Sequence, residues 1–366
     1  MVRKKNRRSN RKKGGMMTAA TRFKKFNNPK SNQIKSLFIT ILNGKGPLSM
    51  EMKTFIATPW CQCGVDNRWQ ACSDCNIPTD KIPPQSHGGN LFEHSQWSSL
   101  YLLLWLNNRG KQPILTKILQ KIKSSPELKS IVTNTERFIL MCGFFHDIGK
   151  YGTDKSGNKV TDLYDKECCG GYGPEDHPKN CKKIIMKPGN SYGGKLKSVL
   201  DILLSGCSDP TQARKILALI ARTHWEFGKL NIPVDYGGIT VSQYVNFIRK
   251  SIKSIHSPWL RDKKTFHILI SLCMVVSCSD VAAAYNRELV SGTNKTFFKS
   301  NGITVAKHLH NTDGGPWIKF GFREKCSDFL TKVLDFITKD SFKLTRRSSS
   351  KSSKRLTSKK SSSKKK

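Results

Sequence analysis

The sequence predicts an all-α fold. Three observations carry that expectation. Apolar residues recur at three- and four-residue spacing through most of the middle of the chain. The alternating pattern of a half-buried strand is scarce there. The stretches between the periodic segments hold Gly, Pro, Asp and Asn, most clearly Gly170-Gly171-Tyr172-Gly173-Pro174 and the stretch 233–238.

In chain order, residues 1–36 read as a basic, disordered arm, because no acidic residue occurs before Glu51 and apolar residues are few. Residues 37–89 form a small mixed segment in which Leu37 to Leu42 suits one short strand or helix, followed by turn-rich sequence. It contains Cys61, Cys63, Cys72 and Cys75, two pairs with eight residues between them. Four thiolates at short spacing suit a tetrahedral structural zinc site; one pair is C-x-C rather than C-x-x-C, so free thiols are the alternative.

Residues 90–286 read as the helical domain. Asn90 followed by Glu93 has the form of a capping box, which starts a helix running to Leu106. Helical periodicity then covers 114–123, 130–146, 178–187, 195–205, 210–226, 241–253 and 265–286. Residues 287–342 form a C-terminal extension, with 295–321 expected as loop or hairpin and 323–338 as an amphipathic helix packed on the bundle. Residues 343–366 are a Lys/Ser-rich tail without acidic residues; serines such as Ser348 to Ser350 are candidate phosphate acceptors.

The 366 residues carry a formal net charge of +38, concentrated at both ends. Such termini suit nucleic acid, through neutralisation of phosphates. The basic N-terminus is not followed by an apolar signal segment, and the most apolar stretches are too short, or interrupted by Asp280, to cross a bilayer. With twelve cysteines and no export signal, reduced thiols in the cytoplasm or nucleus are expected, or in a particle interior for a virus-encoded chain.

Within this frame, Phe138 to Phe145 is an apolar run that closes on His146-Asp147-Ile148-Gly149-Lys150. An adjacent histidine and aspartate at the end of a buried segment are costly to desolvate, and a divalent cation suits both. Gly149 is expected to let the chain leave the helix and Lys150 to carry a positive charge out beside the site. His94 shares a stripe with Trp97, Tyr101 and Leu104, so it faces inward. His224 follows Leu217 and Ile220 at seven and four residues, so it faces inward too. Asp280 interrupts the apolar run 272–284, where it needs a partner. His177 precedes Pro178, a good first helical residue, and stands at a helix start. Singly, these are core histidines, a buried ion pair and a loop histidine. Asp176, Glu226, Cys168, Cys169 and Cys181 are nearby groups with no decided role.

The order His94, His146-Asp147, His177, His224, Asp280, with the local text Glu93-His94-Ser95, Phe145-His146-Asp147-Ile148-Gly149-Lys150 and Ser279-Asp280, resembles the HD-domain superfamily of metal-dependent phosphohydrolases. The resemblance covers about residues 90–286. It implies a helical bundle with His94, His146, Asp147 and Asp280 as shared ligands. His177 and His224 match members that hold two ions (Fe, Mn, Mg, Co or Zn) with Asp147 bridging, and Lys150 becomes a candidate phosphate contact. The expected activity is hydrolysis of a phosphate ester of a nucleotide or dinucleotide. A di-iron oxygenase on the same scaffold, or a basic nucleic-acid-binding or packaging protein with a retained core, are the alternatives.

Overall fold

The structure, a computed structural model, describes residues 29–54, 60–62, 69–71, 90–150, 152–153, 159–160, 177–236, 238–254, 262–285, 288–307 and 322–339. Helices dominate them. The two short antiparallel ribbons, Trp60–Gln62 with Trp69–Ala71 and Gly152–Thr153 with Lys159–Val160, lie outside the bundle's helical elements in the chain. The expectations for 1–28 and 340–366, for the side chains of Cys61, Cys63, Cys72 and Cys75, and for Cys168, Cys169 and Asp176 fall outside the described residues.

Two helices, α1 (Pro29–Leu42) and α2 (Pro47–Thr54), precede the expected bundle. The first starts inside the stretch read as a basic arm. Ile34, Phe38 and Ile41 fall on one stripe and are buried, which gives those residues a core to join despite Lys30 and Lys35. Leu48 and Met52 do the same for the second, in sequence expected to be turn-rich.

Helix α3 (Leu91–Leu106) is the first central element, and its capping box forms as expected. Asn90 Oδ1 accepts from the Glu93 N–H at 3.0 Å, and Glu93 Oε2 accepts from the Asn90 N–H at 3.3 Å. Its helix is apolar almost all round because it is buried all round. It packs on α5 (Thr135–Phe145) and on α10 (Lys263–Tyr285), with α4 (Pro113–Ser124) against both central helices. The contacts use small residues. Ser98 Oγ and Ser279 Oγ are 2.8 Å apart, Ser99 Oγ donates to Leu140 O at 2.9 Å, and Gly143 faces Ser99 and Leu102.

A 3₁₀ turn, Ile148–Lys150, follows α5 and lies against α6 (His177–Met186). Next come α7 (Lys195–Leu204), α8 (Pro210–Thr223) and α9 (Val241–Lys253). Helix α10 is long and apolar enough to cross a membrane by length and composition, yet 78% of that window is buried inside the fold. Beyond it, α11 (Gly292–Ser300) replaces part of the expected loop, because Phe298 inserts into the core and gives the segment an anchored face. Helix α12 (Phe322–Lys339) is the expected amphipathic cover, burying Cys326, Leu330, Val333 and Ile337.

The flanking segments are tied to α3 by one amide. Gln96 donates to Leu42 O and to Thr304 O, and accepts from the Ala306 N–H at 2.7 Å. Trp97 Nε1–H adds a bond to Ala306 O at 3.0 Å, and Asn43 bridges to Gly302 O and the Thr304 N–H.

Glycine at 149 serves packing rather than helix exit, since α5 already ends at Phe145. A Cβ there would sit 2.2 Å from the Cys181 backbone nitrogen. Gly149→Ala is therefore expected to lower unfolding free energy by about 1–3 kcal/mol in a urea titration. Gly143→Ala should cost less, because its closest obstacle is the movable tip of Leu102. Equal losses would contradict the backbone-clash argument.

Candidate metal centre

Six side chains from five elements meet in the bundle core. His94 comes from the first turn of α3, His146 and Asp147 from the exit of α5, His177 from the first residue of α6, His224 from the exit of α8, and Asp280 from the last turns of α10. Five of them are buried, and the Asp280 side chain keeps 15% of its surface accessible, so solvent reaches the cluster along that edge. All six expected ligands are brought together. His177 is a buried residue at a helix start rather than an exposed loop histidine.

The geometry divides into two groups joined by one carboxylate. On one side, Asp147 Oδ2 is 3.3 Å from His94 Nε2 and 3.4 Å from His146 Nε2. Asp280 Oδ1 completes that group, 2.9 Å and 3.3 Å from the same two nitrogens, which are 3.2 Å apart. On the other side, Asp147 Oδ1 is 3.1 Å from His177 Nε2 and 3.2 Å from His224 Nε2, themselves 3.1 Å apart.

Hydrogen bonding decides what these atoms present to one another. His146 and His224 each stand just after the last residue of their helix, and each turns Nδ1 back to a carbonyl three residues earlier, Gly143 O at 2.6 Å and Ala221 O at 2.9 Å. A carbonyl can only accept, so both Nδ1 atoms carry hydrogen. In the neutral rings, Nε2 then offers a lone pair to the centre of the cluster. Lone pairs facing carboxylate oxygens repel unless something positive lies between them. Donors held about 2.1 Å from one ion lie about 3.0 Å apart in octahedral and about 3.4 Å apart in tetrahedral arrangement. The observed separations span that range. Both groups, His94 with His146, Asp147 and Asp280, and Asp147 with His177 and His224, could hold a metal ion.

The electrostatics are those of a site prepared for positive charge. Burial raises the Asp147 carboxyl, but the Lys150 ammonium and His146 outweigh it and hold the group well below the usual carboxylate range. Asp280 is likewise raised by burial and more strongly lowered by His146 and His94. Burial lowers His146, yet the charges of Asp147 and Asp280 override it and push the imidazole up to about 10. His177 goes the other way, to about 4: burial dominates, Asp147 opposes it, and the charge of Lys150 adds to the lowering. Without an ion, then, the His146 side can gather a proton as its counter-charge, while His177 stays a neutral ligand.

Lys150 is placed differently from the sequence expectation. Instead of projecting outward it is buried, with Nζ 2.6 Å from Asp147 Oδ2. The 3₁₀ turn puts residue i+3 over a carboxylate that burial has deprived of water, and the pair forms there. Glu226 is bonded to Lys229 at 3.3 Å rather than to His224. Cys181 is a packing residue whose sulfur accepts the Gly149 N–H at 3.0 Å.

Several supporting groups were not singled out from the sequence. Ser277 Oγ donates to His224 O, fixing that peptide on α10. Tyr192 donates to Ile148 O at 2.9 Å and Asn180 to Gly149 O at 2.7 Å, which holds the turn between Asp147 and Lys150. The ring of Trp225 packs edge-on against His177, centroids 5.3 Å apart. The only sequence trace of the carbonyl contacts is the position of each histidine directly after an apolar helical run.

No protein-family model matches the chain, and no curated protein or solved structure matches it.

Protein stripped with a chelator should gain thermal stability when Mn, Fe, Co or Zn is returned. At 100 times the dissociation constant the gain is about 2.7 kcal/mol, or roughly 5–10 °C in a differential scan of a domain this size. Asp147→Asn and His146→Ala should remove that gain. A midpoint indifferent to every metal in both forms would dismiss the centre.

Proposed function

We propose that the chain is a metal-dependent phosphohydrolase of the HD type, acting on a phosphate ester of a nucleotide or dinucleotide. The observation that carries this reading is the division of Asp147, one oxygen turned to each of two donor groups. A carboxylate in that position suits a bridge between two ions. The order and local text of the ligands add their likeness to the HD-domain superfamily.

On this reading His94, His146, Asp147 and Asp280 would hold one ion, and Asp147, His177 and His224 would hold the other. Ions bound there would supply an activated water and charge stabilisation for the oxygens at phosphorus. The protein's own part is positional. The carbonyls of Gly143 and Ala221 orient two of the imidazoles. Lys150 keeps Asp147 ionised and pins Oδ2. The second group has three protein donors, one fewer than the first, which leaves more room there for water and a substrate oxygen. The open edge beside Asp280 is the entry for that substrate, and the strong positive charge of the chain draws an anion toward it. The basic termini add contacts to nucleic acid, which also fits a packaging role for the same molecule.

The decisive measurement is a panel of nucleotides, cyclic nucleotides and dinucleotides with Mn or Fe, followed by released phosphate and product mass. His146→Ala and Asp147→Ala should fall to background turnover while retention on DNA stays at the wild-type level. Oxygen uptake coupled to product, without phosphate release, would instead favour the di-iron oxygenase. Wild-type turnover in both variants would move the chemistry elsewhere. Removal of residues 1–28 and 343–366, which spares α1, should flatten the dependence of DNA affinity on salt; an unchanged slope would assign that binding to the core.

A further inference from the structure

Helix α12 carries a thiol that meets a second thiol on α10. Cys326 Sγ and Cys278 Sγ are 2.8 Å apart, both are buried, and both are free. The separation is well inside ordinary sulfur contact and approaches bonding distance, about 2.05 Å. Among the described free cysteines the others are spent differently. Cys181 accepts from the Gly149 backbone, Cys273 accepts from Thr223 at 3.2 Å, Cys142 lies buried within α5, and Cys207 is partly exposed beyond α7. The pair stands where α12 packs on α9 and α10, with the fully buried Tyr244 near Cys278 and Cys273. Cys278 lies two residues before Asp280 on the same helix.

We propose that Cys278 and Cys326 are a modification site, a dithiol that a small peroxide converts to a disulfide, locking α12 onto α10. One thiol, as thiolate, attacks the peroxide oxygen, breaking the O–O bond to leave a sulfenic acid; the departing hydroxide takes a proton and leaves as water. The second thiol attacks that sulfur, forms the S–S bond and expels the oxygen as a second water. Two thiols and one hydrogen peroxide thus give one disulfide and two waters, and a dithiol reductant reverses the change. Burial of both thiols restricts the reaction to small oxidants. Oxidation adds a covalent tie to a helix already packed through Leu330, Val333 and Ile337 and bonded at Ile337 O and Thr338 O by His267 and Lys263, closing a loop from 278 to 326.

The test treats the full-length chain with hydrogen peroxide and maps peptides without reduction. The expected product is a Cys278–Cys326 linked peptide, lighter by two hydrogens than the two free peptides, that dithiothreitol separates. The linked protein should melt roughly 5–15 °C higher than the reduced form, and C326A and C278A should each lose both the linkage and the peroxide-dependent rise. C326A changes a residue away from the metal cluster, so it stays informative if C278A fails to fold. Peroxide that modifies other thiols while both of these remain free would overturn the proposal. So would a linked protein that melts no higher than the reduced one.

Discussion

The organisation of this molecule depends on one buried carboxylate that its neighbours hold ionised. Asp147 is buried, faces histidine nitrogens with both oxygens, and has the ammonium of Lys150 on one of them. Such a group is tolerated in an apolar core only where positive charge and hydrogen bonds surround it. The rest of the centre follows from that demand. His94 and His146 on one side and His177 and His224 on the other are the partners available, and Asp280 adds a second negative group that sharpens the need for a cation.

Meeting that demand constrains helices far from Asp147. His94 and Asp280 can approach within 2.9 Å only if α3 and α10 pack closely, and the paired serines at 98 and 279 allow it. The exit of α5 can reach α6 only if residue 149 lacks a side chain. The supporting contacts of the centre use small groups and backbone atoms, which have few alternative arrangements. A polar cluster in a soft core would relax by rotating apart; here the two Nδ1–carbonyl bonds hold His146 and His224 against that rotation.

Much of this was legible in the sequence. The helical periods set most element positions to within a few residues, and Asp280 in an apolar run announced a buried partner. The six candidate ligands converge as anticipated, since each stood at a helix end or on an inward stripe. What failed had local causes. Helices α2 and α11 are short and α1 begins in basic sequence, and their apolar residues become a face only once Ile34, Met52 and Phe298 find the larger core. Lys150 was misplaced because a sequence does not say which way a side chain leaves a 3₁₀ turn, and Gly149 because close approach to Cys181 is a contact between residues far apart in sequence. The second layer, Ser277, Tyr192 and Asn180, has no sequence signature at all, being defined only by where its backbone acceptors end up.

The clamp formed by Asn43 and Gln96 has a bearing on synthesis. Asn43 bonds residues 259 and 261 positions later in the chain, and Gln96 bonds Thr304 and Ala306. A ribosome delivers α1 to α3 long before it delivers those partners, and His94 likewise precedes Asp280 by 186 residues. Closing such long loops early carries an entropic cost that no finished contact yet offsets. The bonds of Asn43 and Gln96 must therefore wait until residues 302 to 306 emerge. The nascent chain holds His146 and Asp147 for that interval without Asp280, so the donor cluster closes only after α10 has been made.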